Sequence, residues 1–160
     1  MKLGKILVPL DGSMLAEGAL SNVVDLAEKN GATISLLRAA EAFTRPGADA
    51  VEAQVTAIRE AEEYLAAVVR RLANRGIGRV ETHVWCGPAA AVIVEAAAAQ
   101  KADLIVMSTH GRSGLGRLVL GRVTESVLRG TTVPILVFRA EHAPLDAPSG
   151  ARQAERASHV

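Results

Sequence analysis

The residue types that could hold phosphate are concentrated between Asp103 and Phe138. An apolar run, Leu104 to Met107, leads into a segment carrying Gly111, Gly114, Gly116 and Gly121, then into a helix-like stretch and a second apolar run, Val133 to Phe138. Glycines placed after a strand and ahead of a helix let backbone N–H groups approach an anion closely, and the helix N-terminus adds its dipole. Between Met107 and Gly130, Arg112, Arg117, Arg122 and Arg129 face the single acid Glu125, a local excess of three positive charges in a chain whose formal net charge is +1. Guanidinium forks match phosphate oxygens. The plain alternative is a solvated helix face beside a loose turn, and a Gly-rich loop taken alone does not choose between the two.

A second candidate segment lies near the N-terminus. Lys5 to Leu10 reads as a buried strand ending at Pro9, and Asp11, Gly12 and Ser13 follow. An acid at the carboxyl end of a first strand, then glycine and a helix-capping serine, is a common opening of an α/β nucleotide site. Ser13 reads mainly as the cap of a helix from Met14 to about Asn30, and Asp11 as the functional acid.

The elements that would position these residues follow in order. Gly31 closes the first helix, and Thr33 to Ala39 is a strand of β-branched and aliphatic residues. A loop broken at Pro46-Gly47 precedes a long helix from Asp49 to about Arg75, with Val51, Val55, Ile58, Leu65, Val69 and Leu72 as its apolar stripe. Its charge runs read as solvated, the basic ones near the C-terminal end where the dipole favours them. Arg79 to Trp85 alternates, which implies an edge or half-covered strand. Gly87-Pro88 opens an alanine-rich helix over residues 89 to 100, and Cys86 beside it reads as a packed small residue. The final strand contains Pro134, which favours an edge. Two edge candidates, strands three and five, fit an α/β fold: a flavodoxin-like, Rossmann-like doubly wound five-stranded parallel sheet of order 3-2-1-4-5, with helices on both faces. In that order the ends of strands one and four diverge at the switch point, so Asp11 and the Ser108 to Gly121 loop meet at one crevice.

Composition bounds the rest. The 160 residues suffice for one domain; 49% are hydrophobic but 2% aromatic, so the core must be aliphatic. No apolar run approaches the roughly 20 residues that span a bilayer, and no signal peptide is read at the N-terminus. A single cysteine permits no intrachain disulfide, which fits a reducing cytoplasm. Near-neutral charge with few aromatics argues against a nucleic-acid surface, and a membrane-surface role has no support. Residues 1–139 are expected to form the domain and 140–160, rich in Ala, Pro, Ser and charge, a disordered tail.

The segment from Ser108 to Arg122, together with VPLDGS at the first strand end, resembles the universal stress protein family. Nucleotide-binding members carry glycine, two residues, glycine, nine residues, glycine, then serine or threonine. Here the frame falls on Ser108, Gly111 and Gly121, with Arg112 to Leu120 as the nine and Arg122 in the last place. Ser108 and Arg122 depart from the pattern. Serine is small and keeps a hydroxyl for a ligand; Arg122 either supplies a phosphate contact or fills the pocket. The resemblance, which covers residues 1 to about 139, implies an ATP-binding stress or signalling protein. The adenine would lie near Ala39 and Met107, and the ribose and a nucleotide-bound Mg near Asp11 at the end of the Pro9 strand. The phosphates would lie on Ser108, Gly111, Gly114, Gly121, Arg122 and Val123. It also implies a homodimer through Val133 to Phe138, an edge with unpaired backbone.

Other chemistries fit less well. Gly111 to Leu118 misses a P-loop because Arg117 and Leu118 stand where Lys and Ser/Thr are required. The dinucleotide fingerprint is not met, and no G-x-S-x-G elbow accompanies His110, Asp11 and Ser13. No general base is placed for rapid turnover, so any ATP hydrolysis is expected to be slow. The reading from another class is a nucleotide-independent dimeric interaction module of the same fold, with Arg122 blocking the phosphate site.

Overall fold

The computed structural model describes residues 2–42, 46–47, 49–109 and 120–139. The strands are β1 (Lys5–Pro9), β2 (Thr33–Ala40), β3 (Val80–Cys86), β4 (Leu104–Thr109) and β5 (Ile135–Arg139). The helices are α1 (Met14–Glu17), α2 (Leu20–Asn30), α3 (Ala50–Ala73), α4 (Ala89–Ala99) and α5 (Arg122–Gly130). β1, β2 and β4 are the aliphatic runs, and side-chain caps at Ser13 and Asp49 open the helices that follow β1 and β2.

The strands form one parallel sheet in the order β3-β2-β1-β4-β5. The doubly wound topology expected from the sequence is therefore the one observed, with β3 and β5 at the edges. Its centre is set by Leu7, which pairs with Ser35 of β2 on one side and with Ile105 of β4 on the other. The Asp103 carboxylate fixes how β1 starts: Oδ2 accepts the backbone N–H of Gly4 at 2.8 Å and of Lys5 at 2.9 Å.

Burial on both faces explains why β1, β2 and β4 read as continuous apolar runs. On one face Ile6, Val8, Ile34, Leu36 and Val106 pack against Leu20 and Val23 of α2 and Leu65, Val68 and Leu72 of α3. On the other, Leu7, Leu37, Ile105 and Met107 pack against Ile93, Ala96 and Ala97 of α4 and Val127 of α5. Alanine on α4 lets that helix lie close to the sheet, as its composition suggests.

Five local expectations are corrected. The helix expected from Met14 to Asn30 is broken at Gly18-Ala19, where the Gly18 N–H bonds the Leu15 carbonyl three residues back, at 3.0 Å, and ends α1 after one turn. In α3 the buried stripe is Ala61, Leu65, Val68 and Leu72, whereas Val51 and Val55 are 72% and 50% exposed. Asp49 does not begin that helix but caps it, its Oδ1 accepting from the Val51 and Glu52 N–H groups. Cys86 is exposed rather than packed, with Gln54 Nε2 3.3 Å from its Sγ. At the other edge, β5 begins one residue after Pro134, whose carbonyl accepts from Ile105 N–H.

Candidate functional site

Among the described residues, the turn after β1 and the start of α5 meet over the carboxyl ends of β1, β2 and β4. The turn after β1 is shaped by Asp11, whose Oδ1 accepts the Ser13 N–H at 2.8 Å, and by Gly12, whose φ of +86° a side chain would strain. Ser13 then caps α1, its Oγ accepting from the Ala16 N–H at 3.1 Å. The cap expected at Ser13 is present, and one Asp11 carboxylate oxygen has no bond within this turn.

A cavity of about 400 Å³ opens at this point, within the size range of small-molecule sites. Its floor and walls come from every element that ends here: Pro9, Leu10 and Asp11 from β1 and its turn, Leu37 to Ala39 from β2, and Met107 to Thr109 from β4. Ala89 and Ile93 of α4 and Gly121 to Thr124 at the start of α5 complete it. The apolar walls suit a flat ring, while the polar groups lie at Asp11, Ser13, Arg38, Ser108, Thr109 and the first turn of α5.

The structure brings together Pro9, Asp11, Ala39, Met107, Ser108, Gly121, Arg122 and Val123 on this one surface, although nearly a hundred residues separate Asp11 from Ser108. The remaining expected site residues, Gly111 and Gly114, lie outside the described residues, as do Arg112, Arg117 and His110. Ser108 Oγ lies 3.5 Å from the Ala16 carbonyl, linking β4 to α1 across the crevice. Gly121 precedes α5 without a side-chain cap, so among the described residues no cap side chain takes the first N–H groups of this helix, whose first residues line the cavity. Arg122 is exposed on that rim, and the cavity stays open beside it.

Sequence reasoning missed several wall residues. Ile93, Leu15 and Ala16 reach the cavity only through tertiary packing. Arg38 carried a readable signal, since it is the sole charge in the apolar strand TISLLRAA. Its guanidinium lies 5.1 Å from the Tyr64 ring centroid. Tyr64 belongs to a further cluster: its hydroxyl donates to Glu17 Oε1 at 2.8 Å, and Arg71 donates to Glu17 Oε2 at 2.7 Å. Burial, with the Glu17 hydrogen bond added, holds the Tyr64 hydroxyl well above the ordinary tyrosine range. Arg71 is thus an inward ion-pair partner, not one of the solvated charges expected on α3.

Among the described residues, no group of three or more His, Cys, Asp or Glu side chains is arranged to hold a metal ion. A metal here would take Asp11 and ligand oxygens together, as magnesium does in phosphate sites. No helix of the described residues is long and apolar enough to cross a membrane.

The comparison with known proteins agrees with the topology. The model of the universal stress protein family matches residues 2–139. The chain belongs to the universal stress protein family. A Staphylococcus aureus (strain USA300) protein assigned to this family by name is 32% identical over 144 residues, covering 88% of this chain and 87% of that protein. A universal stress family protein from Burkholderia pseudomallei superimposes with a TM-score of 0.69 at 26% identity, over 86% of this chain and 96% of the other. Two universal stress proteins share the fold at lower identity. One, in complex with cAMP, has 20% identity and a TM-score of 0.58 over 88% and 100% of the chains. The other, At3g01520 of Arabidopsis thaliana with AMP bound, has 17% and 0.64 over 86% and 92%.

Proposed function

We propose that this universal stress protein binds an adenine nucleotide, ATP with Mg, at the cavity over β1, β2 and β4, and acts as a stress-response or signalling module. One observation carries the reading: a cavity at the topological switch point gathers Asp11, Ala39, Met107, Ser108, Gly121, Arg122 and Val123 from four separate elements. The adenine would lie on the apolar wall by Ala39 and Met107. Asp11 would hold the ribose or a phosphate-bound Mg, whose charge would offset that of the phosphates. Ser108, the α5 N-terminus and Arg122 would take the phosphates, and Gly111 and Gly114 belong to the same segment by sequence. That family members of this fold are found with AMP and cAMP supports the choice of an adenine nucleotide.

Among the described residues that line the cavity there is no histidine, and Asp11 is the one carboxylate. Any hydrolysis of the bound ATP would be slow. The open cavity beside an exposed Arg122 favours this reading over an interaction module with a blocked site. The protein would work in the cytoplasm as a homodimer paired through β5, whose half-buried Ile135 to Phe138 form an edge. Residues 1–139 would be the functional unit.

Calorimetric titration of nucleotide-free protein with Mg-ATP tests the proposal. Saturable binding is expected, weakened about tenfold or more by Asp11→Ala and by Arg122→Ala, since each removes a charge-assisted contact of about 1.5–3 kcal/mol. Folded protein that takes up no nucleotide would overturn it. Sedimentation of wild type and Val137→Lys tests the dimer separately, with loss of the paired species expected in the variant.

A further inference from the structure

Arg38 is the charged group of the cavity that the nucleotide reading leaves without a role. It precedes Ala39 on β2, and its guanidinium lies between the Tyr64 ring and the turn after β1. The fit against that turn is close: a Cβ built on Gly12 would stand 2.9 Å from Arg38 Nη1. Nη1 is buried and has no hydrogen-bond partner. Both oxygens of Glu17 are engaged, by Tyr64 and Arg71, and among the described residues neither Glu17 nor Asp11 forms an ion pair with Arg38. A buried N–H with no acceptor is costly, and on a guanidinium the partner that satisfies it best is an anion.

The position of Arg38 defines which part of a ligand could supply that anion. It adjoins Ala39 and Gly12, the residues next to the expected adenine and ribose contacts, whereas Arg122 and the α5 N-terminus lie at the phosphate end. In the pose proposed above the 5′ phosphates would run toward Arg122 and away from Arg38, and neutral ribose hydroxyls would pair with its N–H groups without a charge to match its own. In dinucleotide-binding α/β sheets an arginine placed near the ribose accommodates a phosphate on the sugar hydroxyl, and bidentate guanidinium–phosphate pairing is the physics that selects it.

We infer that Arg38 is a specificity-determining residue that makes this site prefer an adenine nucleotide bearing a second phosphate, at the 2′ or 3′ position of the ribose. This rests on the adenine-nucleotide reading above and deepens it. On binding, the guanidinium exchanges its place against Gly12 for the ribose phosphate, while the Tyr64 ring stays beneath it as a stacking surface.

Calorimetry of the full chain with AMP, adenosine 2′,5′-bisphosphate and adenosine 3′,5′-bisphosphate decides the matter. One bisphosphate is expected to bind at least tenfold more tightly than AMP, and which one identifies the hydroxyl. Arg38→Met, which keeps the aliphatic stem, is expected to reduce that ratio to near one, and Arg38→Lys to keep part of it. Because the readout is a ratio within each variant, a general loss of affinity does not mimic the result; circular dichroism checks that each variant is folded. AMP binding with no preference for either bisphosphate, or a preference that survives Arg38→Met, would overturn the role of Arg38 and leave the nucleotide reading standing. No binding of any of the three would overturn the role of Arg38, and no binding of Mg-ATP by the same folded protein would overturn the nucleotide reading as well.

Discussion

Replacing Glu17 with glutamine should destabilise this protein by about 2–3 kcal/mol, although the residue sits at the end of the one-turn helix α1. Glu17 is 7% exposed. Its two oxygens accept from Tyr64 and Arg71 at 2.8 and 2.7 Å. The amide of glutamine keeps one carbonyl acceptor, best used by Arg71, which cannot accept, and turns its N–H group toward the Tyr64 hydroxyl, which must then accept instead of donating. The loss is therefore one hydrogen bond to a charged group, about 1.5–3 kcal/mol, plus the weakening of the second. The Arg71 side chain is 30% exposed and regains water, which keeps the cost below that of breaking a fully buried ion pair. Urea unfolding with an unchanged m-value measures it. Because Tyr64 is the single tyrosine of the chain, tyrosinate absorbance reads the same cluster directly. Its native pKa is raised, so the stabilisation is full below the unfolded value of about 10 and is lost as pH rises through the higher folded value. The native protein should keep Tyr64 protonated where the urea-unfolded chain has ionised, and Glu17→Gln should narrow the gap. Native Tyr64 ionising together with the unfolded chain, or a variant within about 0.5 kcal/mol of wild type, the ordinary range of surface substitutions, would refute the reasoning.

Gly12→Ala should cost about 1–2 kcal/mol, the ordinary penalty for a side chain at positive φ. Removing Arg38 as well should not restore it, because the flexible guanidinium can move while φ cannot; thermal unfolding of the single and double variants separates the two. Ile105→Ala, at a fully buried position in β4, should lower stability by about 2–5 kcal/mol in urea. Asp103, held below the ordinary carboxylate range by the backbone N–H groups of Lys5 and Gly4, contributes stability above its unfolded pKa of about 3.9 that is lost as pH falls through its lower folded value. Asp103→Asn should therefore flatten the loss of stability on acidification, as followed by circular dichroism.

Much of the fold was legible because it follows from local chemistry. Aliphatic runs marked the strands, Gly31 and Asp49 marked helix ends, and the alternation of Arg79 to Trp85 together with Pro134 marked the two edges. From the edges came the strand order, and from the order the crevice shared by Asp11 and Ser108. What was not legible depends on partners far along the chain. Glu17 turns inward because Tyr64 and Arg71, 47 and 54 residues away, are there to receive it. Val51 and Val55 fit the helical period but are exposed, because periodicity reports a helix face and not where the sheet beneath it stops. Arg38 differs in kind: its isolation among apolar neighbours was visible, but only the structure showed a donor without an acceptor beside Gly12.

The scarcity of aromatic residues has an optical consequence. The sheet divides the interior into two aliphatic layers; the single tyrosine, Tyr64, packs on the layer under α2 and α3, and the single tryptophan, Trp85, on the layer under α4 and α5. Each layer thus carries its own chromophore with no second copy to blur the signal. Tyrosine and tryptophan spectra followed through one denaturation would report separately on the two sides of the sheet. Coincident transitions would mean that both layers dissolve together. Separated ones would show which side of the molecule yields first, without labels or engineered probes.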